Sequence, residues 1–378
     1  MVGVLVALLS PVFGAGQEAD WRAAFAAGEE ARKAGEHAAY ARHMAEAVAG
    51  LPPGHLTRPF AQYHAARAHA LAGDGAGAAR FLAMAWDEGI ESLMISFADH
   101  DPAFDALRVD PAFREVMGRS RGLRLEVTRL GGSVHLLRGA GSQLVASVGP
   151  DGVLLVDTGY GAALPAVRAA LAGLGASRVD ALVVTHPHED HWGSVEALSA
   201  EAVVRAHPAT VAALAEPYEF MEGVVLPPRP AALREAVVAT DGGGFAFNGE
   251  EVRIVAMPAH TAGDVAVVFP ASKVAHMGDA FLGGNPMMFP GAADPDGFLD
   301  RMDAFLDALP DGTVVVGGHD APVGVDAVRR QVAESRACMA FVRDALERGL
   351  SRDEAVGFGE DRFPAPWVRF FYGALAGG

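Results

Sequence analysis

The sequence has little cysteine, since Cys338 is the single one among 378 residues. One thiol cannot form an intrachain disulfide, and it cannot supply the several thiolates that hold many structural zinc ions. Any metal that this chain binds must therefore be held by histidine and carboxylate side chains.

Basic residues are scarce relative to acidic ones. The sequence has 30 lysines and arginines against 47 aspartates and glutamates, which gives a formal net charge of −17 at pH 7. A surface of this sign repels the phosphate backbone of nucleic acids. We therefore expect a small-molecule substrate and no nucleic-acid partner.

Long apolar runs are missing as well. The run Val2–Phe13 is much shorter than the about 20 residues that a membrane-spanning helix needs. Small residues follow it, so a signal peptidase could cut before Gln17, although the basic segment that normally precedes such a run is absent. We expect residues 1–16 to be the signal peptide of a periplasmic or secreted protein that does not span a membrane. The alternative is a cytoplasmic protein in which this run is a short buried segment or reflects a mis-assigned start.

Residues 17–120 lack strand signals and have an alanine-rich helical pattern with turns at 51–54 and 71–77. The segment 63–89 has small residues where two helices of a tetratricopeptide hairpin would touch, at Ala66, Ala78 and Ala85. It resembles one degenerate tetratricopeptide repeat, and an earlier segment is a weaker copy. Because so few repeats cannot bury their apolar faces alone, we expect this domain to pack on the rest of the chain. It would offer a surface for a protein partner or for self-association; a generic helical bundle is the alternative.

The helical sequence pattern ends near Arg121, and we place a second domain at residues 121–378. Short β-rich runs separated by glycine-bearing turns come first, and from Gly161 onward helical stretches alternate with apolar strands. This order predicts a layered α/β fold. Several of the strands end in histidine or aspartate, which places polar groups at strand ends.

The densest polar stretch is THPHEDHWG at 185–193, directly after the buried strand pattern ALVV. Loops at the carboxyl ends of strands are where α/β sheets place ligands. Imidazole and carboxylate suit a divalent cation such as zinc. The alternative is a polar turn with solvated histidines. The candidate ligands are His186, His188, Asp190 and His191.

Further motifs follow a fixed order around this stretch. LLVDTGYG contains Asp157, MPAHTAGD contains His260, HMGDAF contains Asp279 and VVGGHDAP contains His319. Together with H-x-H-x-D-H, they resemble the metallo-β-lactamase superfamily over about residues 122–335. The resemblance implies an αββα sandwich of two facing sheets with helices outside and a metal site at one sheet edge. The expected fold class is thus α/β, with an all-α, tetratricopeptide-like domain before the sandwich.

The resemblance also implies roles for individual residues. His186, His188 and His260 resemble the ligands of a first metal, and Asp190, His191 and His319 resemble those of a second. Asp279 occupies the position that bridges both metals. Asp157 resembles the aspartate that accepts a hydrogen bond from the ligands and orients them. Two zinc ions per chain are implied, with iron or manganese as alternatives.

Two cations about 3.5–4 Å apart activate hydroxide against an electrophilic centre, and Asp190 is placed to orient it as the catalytic carboxylate. We expect hydrolysis of a small ester, lactone, thioester or amide. Family β-lactamases typically place cysteine or serine where Asp279 stands, so β-lactam hydrolysis comes second. Mononuclear iron persulfide dioxygenases share H-x-H-x-D-H and are a further alternative. A helical-repeat adaptor with a purely structural sandwich is the non-enzymatic alternative.

The segment after Asp279 resembles that of a cyclase-like subgroup, in which it shapes the substrate pocket. We expect an apolar pocket here, with ordinary core packing as the alternative for the methionines. Glu189 is expected at the surface or as a helix cap, and the remaining polar residues without a motif match are expected to be structural: His135, His207 and Asp320. The expected pocket residues are Phe281, Asn285, Met287 and Met288.

Overall fold

The computed structural model describes residues 18–53, 55, 57–88, 98–221, 224–287 and 294–376. The expected signal peptide and Met288 lie outside the described residues. The described chain forms two compact units. The first contains the described residues up to Arg124 together with Tyr160–Ala166 and Pro217–Pro228, and the second contains the remainder. None of the described helices is long and apolar enough to cross a membrane.

The first unit is mainly helical, as expected from the sequence. Its helices are α1 (Glu18–Lys33), α2 (His37–Gly50), α3 (Arg58–Leu71), α4 (Gly75–Asp87) and α5 (Pro111–Met117). Consecutive helices from α1 to α4 pack against each other. Ala66, Ala78 and Ala85 are fully buried, and small side chains let the backbones of α3 and α4 approach closely. The relationship to tetratricopeptide repeats stays a prediction.

A buried polar network lies inside this helical unit. Asp101 is fully buried, accepts a hydrogen bond from the Tyr63 hydroxyl at 2.9 Å, and forms an ion pair with Arg67, whose Nε lies 2.9 Å from Oδ2. Nearby, the Tyr40 hydroxyl lies 3.0 Å from His64 Nδ1. Buried charges are tolerated only when they are paired and hydrogen-bonded, so this network fixes how the helices and the segment at Asp101 pack.

The second unit contains two sheets. The first has the strand order β1-β2-β3-β4-β5-β6-β9, and the second has the order β10-β11-β12-β13-β14-β15. The strands of the first sheet are β1 (Glu126–Gly131), β2 (Val134–Arg138), β3 (Leu144–Gly149), β4 (Gly152–Val156), β5 (Ala181–Val184), β6 (Val203–Ala206) and β9 (Val238–Ala239). Those of the second are β10 (Gly242–Phe247), β11 (Glu250–Ala256), β12 (Val265–Phe269), β13 (Val274–His276), β14 (Val314–Val316) and β15 (Val323–Gly324). The hairpin β7 (Tyr218–Met221) and β8 (Val224–Leu226) belongs to the first unit.

Helices accompany both sheets. Those between strands are α6 (Leu164–Gly173), α7 (Glu189–Trp192), α8 (Val195–Leu198), α9 (Pro208–Ala213), α10 (Ala231–Ala236) and α11 (Pro295–Asp307). The chain ends with α12 (Val325–Glu347), α13 (Arg352–Gly359) and α14 (Ala365–Ala376). Side chains of α11, α12 and α14 form an apolar core with one face of the second sheet.

The two sheets pack face to face. Their shared core includes Leu154 and Val183 from the first sheet and Val267 from the second. β12 shows the arrangement clearly, because all of its residues are buried. Alternate side chains of a strand point to opposite faces, so Val267 faces the other sheet while Val268 faces the helices. The αββα fold class expected from the sequence is confirmed.

The strand directions place several loops at one edge of the sandwich. β4 and β5 are parallel, and so are β13 and β14, so the loops that leave them emerge on the same side. β12 runs antiparallel to β13, and its preceding loop therefore reaches that side too. These loops carry the polar motifs that the sequence singles out.

Candidate metal centre

Three histidines converge at this edge. His186 Nε2 lies 3.1 Å from His188 Nδ1, and His260 Nε2 lies 2.8 Å from the same nitrogen. A tetrahedral zinc ion at about 2.0–2.1 Å from each nitrogen would separate its ligand atoms by about 3.4 Å. The three nitrogens are thus spaced approximately as the ligands of one cation would be.

A second cluster lies beside the first. Asp190 Oδ2 is 3.4 Å from His191 Nε2 and 3.2 Å from His319 Nε2. The side chain of His191 is fully buried, whereas that of His319 is 39% exposed. The structure therefore brings together residues that are about 130 positions apart in the sequence, and it offers a donor set of one carboxylate and two imidazoles.

Asp279 lies between the two clusters. Its Oδ2 is 3.9 Å from His186 Nε2 and 3.5 Å from His260 Nε2. Its Oδ1 is 3.3 Å from His191 Nε2 and 3.4 Å from His319 Nε2. Each carboxylate oxygen therefore faces a different cluster.

Two buried atoms that lie where the clusters meet have no hydrogen-bond partner in the described part of the chain. Among the described residues, neither His191 Nε2 nor Asp279 Oδ1 makes a hydrogen bond. Buried polar atoms are nearly always satisfied, and these two atoms lie 3.3 Å from each other. The donor set and these two atoms fit a pair of divalent cations.

Burial and neighbouring imidazoles lower the pKa of two histidines of the first cluster, His186 and His188. Burial, followed by the His191 imidazole, holds the pKa of His186 well below its usual range. Burial, followed by His260, lowers the pKa of His188 to about 4. Neutral imidazole is the form that binds a cation, so these two side chains have the protonation state of ligands at neutral pH.

In and beside the second cluster, the pKa values of carboxyls and imidazoles shift in opposite directions. Burial opposes ionisation of Asp190 and Asp279, but the neighbouring His191 and His319 imidazoles hold the pKa of both carboxyls well below their usual range. Burial also opposes a charge on His191, yet Asp190 and Asp157 raise its pKa well above the usual value. These carboxylates attract positive charge, which protons or a divalent cation can supply.

Asp157 is in contact with His191, and its role in orienting the ligands stays a prediction. Its Oδ2 lies 2.7 Å from His191 Nδ1, and Thr185 donates to both of its oxygens. His276 Nε2 also lies 3.0 Å from Oδ2, a contact that the sequence analysis missed. The available signal was a histidine at the end of the apolar strand β13, directly before the Asp279 motif.

Gly318, next to His319, is required by close packing. A Cβ atom at this position would overlap Asp279 Oδ1. Glycine here lets the loop after β14 approach the carboxylate between the clusters. The loop of His260 is held differently, because Asp264 accepts hydrogen bonds from the amides of Ala259 at 3.0 Å and Thr261 at 2.8 Å.

The expectation for Glu189 is wrong. Its side chain is buried and forms an ion pair with Arg229, because the first turn of α7 faces into the protein rather than into solvent. His207 and Asp320 have structural contacts, as expected. His207 Nδ1 accepts from the Ala209 amide, and Asp320 accepts from the Gly283 amide. His135 Nδ1 lies 3.1 Å from the Ser133 carbonyl oxygen.

The expected pocket residues differ in how deeply they are buried. Phe281 and Met287 are buried in the apolar core of the second sheet and its helices, which for Met287 favours the core-packing alternative. Asn285 is half-buried, and its carbonyl oxygen accepts from Gln331 at 2.6 Å. The assignment of a substrate pocket to these residues therefore stays a prediction.

Known proteins match this chain in sequence and in fold. Residues 138–319 match the family described as "Metallo-beta-lactamase superfamily". A hydroxyacylglutathione hydrolase of Fuscovulum blasticum is 33% identical over 156 residues, which cover 41% of this chain and 53% of that protein. One of Alkalilimnicola ehrlichii is 37% identical over 155 residues, which cover 41% of this chain and 52% of that protein. The chain thus spans about half the length of these curated relatives.

A solved structure shares the fold. The stereoselective inverting sec-alkylsulfatase from Pseudomonas sp. aligns with a TM-score of 0.50 and 19% identity, covering 67% of this chain and 48% of that chain. At this identity the likeness concerns the fold alone. Sequence match, fold and motif order agree, and residues 138–319 form a domain of the metallo-β-lactamase superfamily.

Proposed function

We propose that this chain is a hydrolase that uses two divalent cations, with zinc as the metal, to cleave the acyl bond of a small thioester, ester, lactone or amide. One observation carries the proposal. The two oxygens of Asp279 face different ligand clusters, with Oδ2 at 3.5 Å from His260 and Oδ1 at 3.3 Å from His191. A carboxylate in this position is suited to bridge two cations, and its charge offsets theirs.

The residues of the centre have complementary tasks. Divalent cations bound here would supply hydroxide at neutral pH and would stabilise the negative charge that develops on the carbonyl oxygen. His186, His188 and His260 would hold one cation, leaving a position open for water. Asp190, His191 and His319 would hold the other. Asp190 is ionised at neutral pH, so its carboxylate can orient the attacking group by accepting a hydrogen bond from it.

A thioester is the favoured substrate class. The support is the name of the curated relatives, hydroxyacylglutathione hydrolase, which denotes cleavage of an acyl-glutathione thioester. β-Lactam hydrolysis is less favoured because Asp279 stands where zinc β-lactamases of the superfamily typically place cysteine or serine.

The test combines metal content with a substrate panel. The full chain is purified, its bound metals are counted by elemental analysis, and hydrolysis is measured with an acyl-glutathione thioester, a lactone, nitrocefin and bis-nitrophenyl phosphate. We expect two zinc ions per chain and the highest kcat/KM with the thioester. One iron per chain, or no hydrolysis of any member by the metal-loaded protein, would overturn the proposal.

A further inference from the structure

The turn at 139–143, which joins β2 to β3, lies against the second ligand cluster. Its last two residues, Ser142 and Gln143, are 3% and 5% exposed. Polar side chains this deeply buried generally have hydrogen-bonding tasks. We infer that Ser142 and Gln143 are positioning residues that hold the two loops of the second metal site together; the inference rests on the proposed two-metal function.

Ser142 holds the first of these loops. Its hydroxyl donates to the carbonyl oxygen of Asp190 at 2.6 Å. That carbonyl belongs to the peptide group between Asp190 and His191, which are consecutive members of the cluster. Fixing one peptide plane therefore restrains the backbone of both side chains.

Gln143 holds the second loop. Its backbone amide donates to the carbonyl oxygen of Gly318 at 2.7 Å. Its side-chain Nε2 donates to the carbonyl oxygens of His319 at 3.3 Å and Asp320 at 3.2 Å. Since both side-chain partners are acceptors, the amide must present its NH₂ group to them. The peptide groups on both sides of His319 are thereby held.

The hydrogen bonds of Ser142 and Gln143 reach the loops of the second cluster only, among those described. Asp190 and His319 come from distant loops, yet their side chains meet at 3.2 Å, and the turn joins those two loops through adjacent residues. Among the hydrogen bonds of the described chain, the side chains of Ser142 and Gln143 make none to His186, His188 or His260. Weakening the turn should therefore lower the affinity of one metal site and spare the other.

Gln143→Met tests the inference most directly. Methionine has nearly the shape of glutamine but no NH₂ donor, so packing is retained while both side-chain hydrogen bonds are lost. Zinc is titrated into the metal-free full chain against a competing chelator, and the two stepwise dissociation constants are measured. We expect the Kd of one site to rise by about 10-fold or more. The Kd of the other site should stay close to that of the parent.

Gln331→Met is the matched control. Gln331 is also buried, and its Nε2 also donates to two backbone carbonyl oxygens, those of Leu282 at 2.7 Å and Asn285 at 2.6 Å. Neither carbonyl belongs to a residue of the two clusters. We expect this variant to lose stability in the same way as Gln143→Met but to retain both zinc affinities.

Testing Gln143→Met in a chain that also carries His319→Ala shows which zinc site the substitution weakens. His319→Ala removes one donor of the second cluster, so the zinc that remains should occupy the three-histidine site. Gln143→Met added to His319→Ala should leave that remaining Kd unchanged, which is a double-mutant cycle. If Gln143→Met fails to fold by circular dichroism, Ser142→Ala and Ser142→Thr decide instead. We expect Ser142→Ala to weaken one zinc site, and Ser142→Thr, which keeps a hydroxyl, to restore its affinity.

The outcomes separate this inference from the proposed function. A parent chain that binds fewer than two zinc ions contradicts the two-metal function itself. A parent that binds two ions, with unchanged affinities in Gln143→Met or in Ser142→Ala, leaves the function intact and overturns the positioning role. Equal weakening of both sites, or the same loss in Gln331→Met, also overturns it, because the effect would then be a general loss of stability.

Discussion

His276 Nε2 lies 3.0 Å from Asp157 Oδ2, the same oxygen that His191 Nδ1 approaches at 2.7 Å. His276 and Asp157 are both fully buried, and Asp157 has a φ of 60°, in the left-handed region. Thr185, His191 and His276 therefore surround one carboxylate on a residue whose backbone is in the left-handed region. Burial opposes the ionisation of Asp157, but the His191 and His276 imidazoles lower its pKa below the usual value.

Replacing His276 should weaken the second unit without removing a proposed metal ligand. His276→Leu deletes a hydrogen bond to a charged group, so we expect a loss of about 1.5–3 kcal/mol in the free energy of unfolding. His276→Gln, which keeps a donor, should lose less. Urea unfolding of the full chain followed by fluorescence measures both. Equal losses in the two variants would show that packing, rather than the bond to Asp157, sets the effect.

Asp279→Ala should separate the two proposed metal sites. Without the carboxylate that faces both clusters, we expect metal content to fall from about two ions per chain toward one, and hydrolysis to fall at least about 10–100-fold. His188→Ala should instead damage the three-histidine site and remove nearly all activity. Elemental analysis of both purified variants beside the parent makes the comparison, with circular dichroism to verify folding. Two metals and full turnover in Asp279→Ala would point to a single-metal mechanism.

Removing one partner of the ion pair of Glu189 and Arg229 should cost more stability than removing both charges. Burial raises the pKa of Glu189, while Arg229 acts in the opposite direction. Arg229→Ala leaves a buried carboxylate without its partner, and we expect a loss of about 3–5 kcal/mol in the free energy of unfolding. The double variant Glu189→Gln, Arg229→Met removes both charges and should lie close to the parent. Chemical unfolding of the three chains measures this, and a double variant as unstable as Arg229→Ala would contradict it.

The stability of the helical unit should depend on pH through His64. Burial, followed by the charge of Arg67 and then of Arg32, lowers the pKa of His64 to about 3 from 6.5. Glu29 lies 3.7 Å from the ring nitrogen, and Tyr40 lies 3.0 Å from it. The unfolded chain therefore binds more protons between these two pH values. The free energy of unfolding falls as the pH drops from about 6.5 toward 3, by up to about 1.4 kcal/mol per pH unit.

His64→Phe isolates this contribution. The variant keeps a ring among the neighbouring aromatic side chains but has no group that titrates, so other acid effects act equally on both chains. We expect the parent to lose more unfolding free energy than the variant as the pH falls from 7 to 5. Urea unfolding of both chains at each pH measures this. A difference that stays constant over this range would show that His64 is not held neutral by its surroundings.

The sequence by itself determined the fold class and the proposed ligands. Strand-end motifs such as those of His186 and His319 are local patterns, and parallel strands bring their carboxyl ends to one edge whatever the rest of the chain does. The αββα sandwich and the membership of residues 138–319 in the superfamily followed from those motifs. Likewise, the alanine-rich pattern was sufficient for the helices from α1 to α4.

Only the tertiary structure decided which residues support those motifs. His276 contacts Asp157 across 119 positions, and Gln143 contacts His319 across 176. The buried Glu189 pairs with Arg229, 40 residues away. Segments 160–166 and 217–228 join the helical unit although they lie between strands of the sandwich. Apart from the strand-end position of His276, these contacts have no local signal, because a hydrogen bond or an ion pair between distant residues depends on how the chain packs and not on the spacing of residues along it.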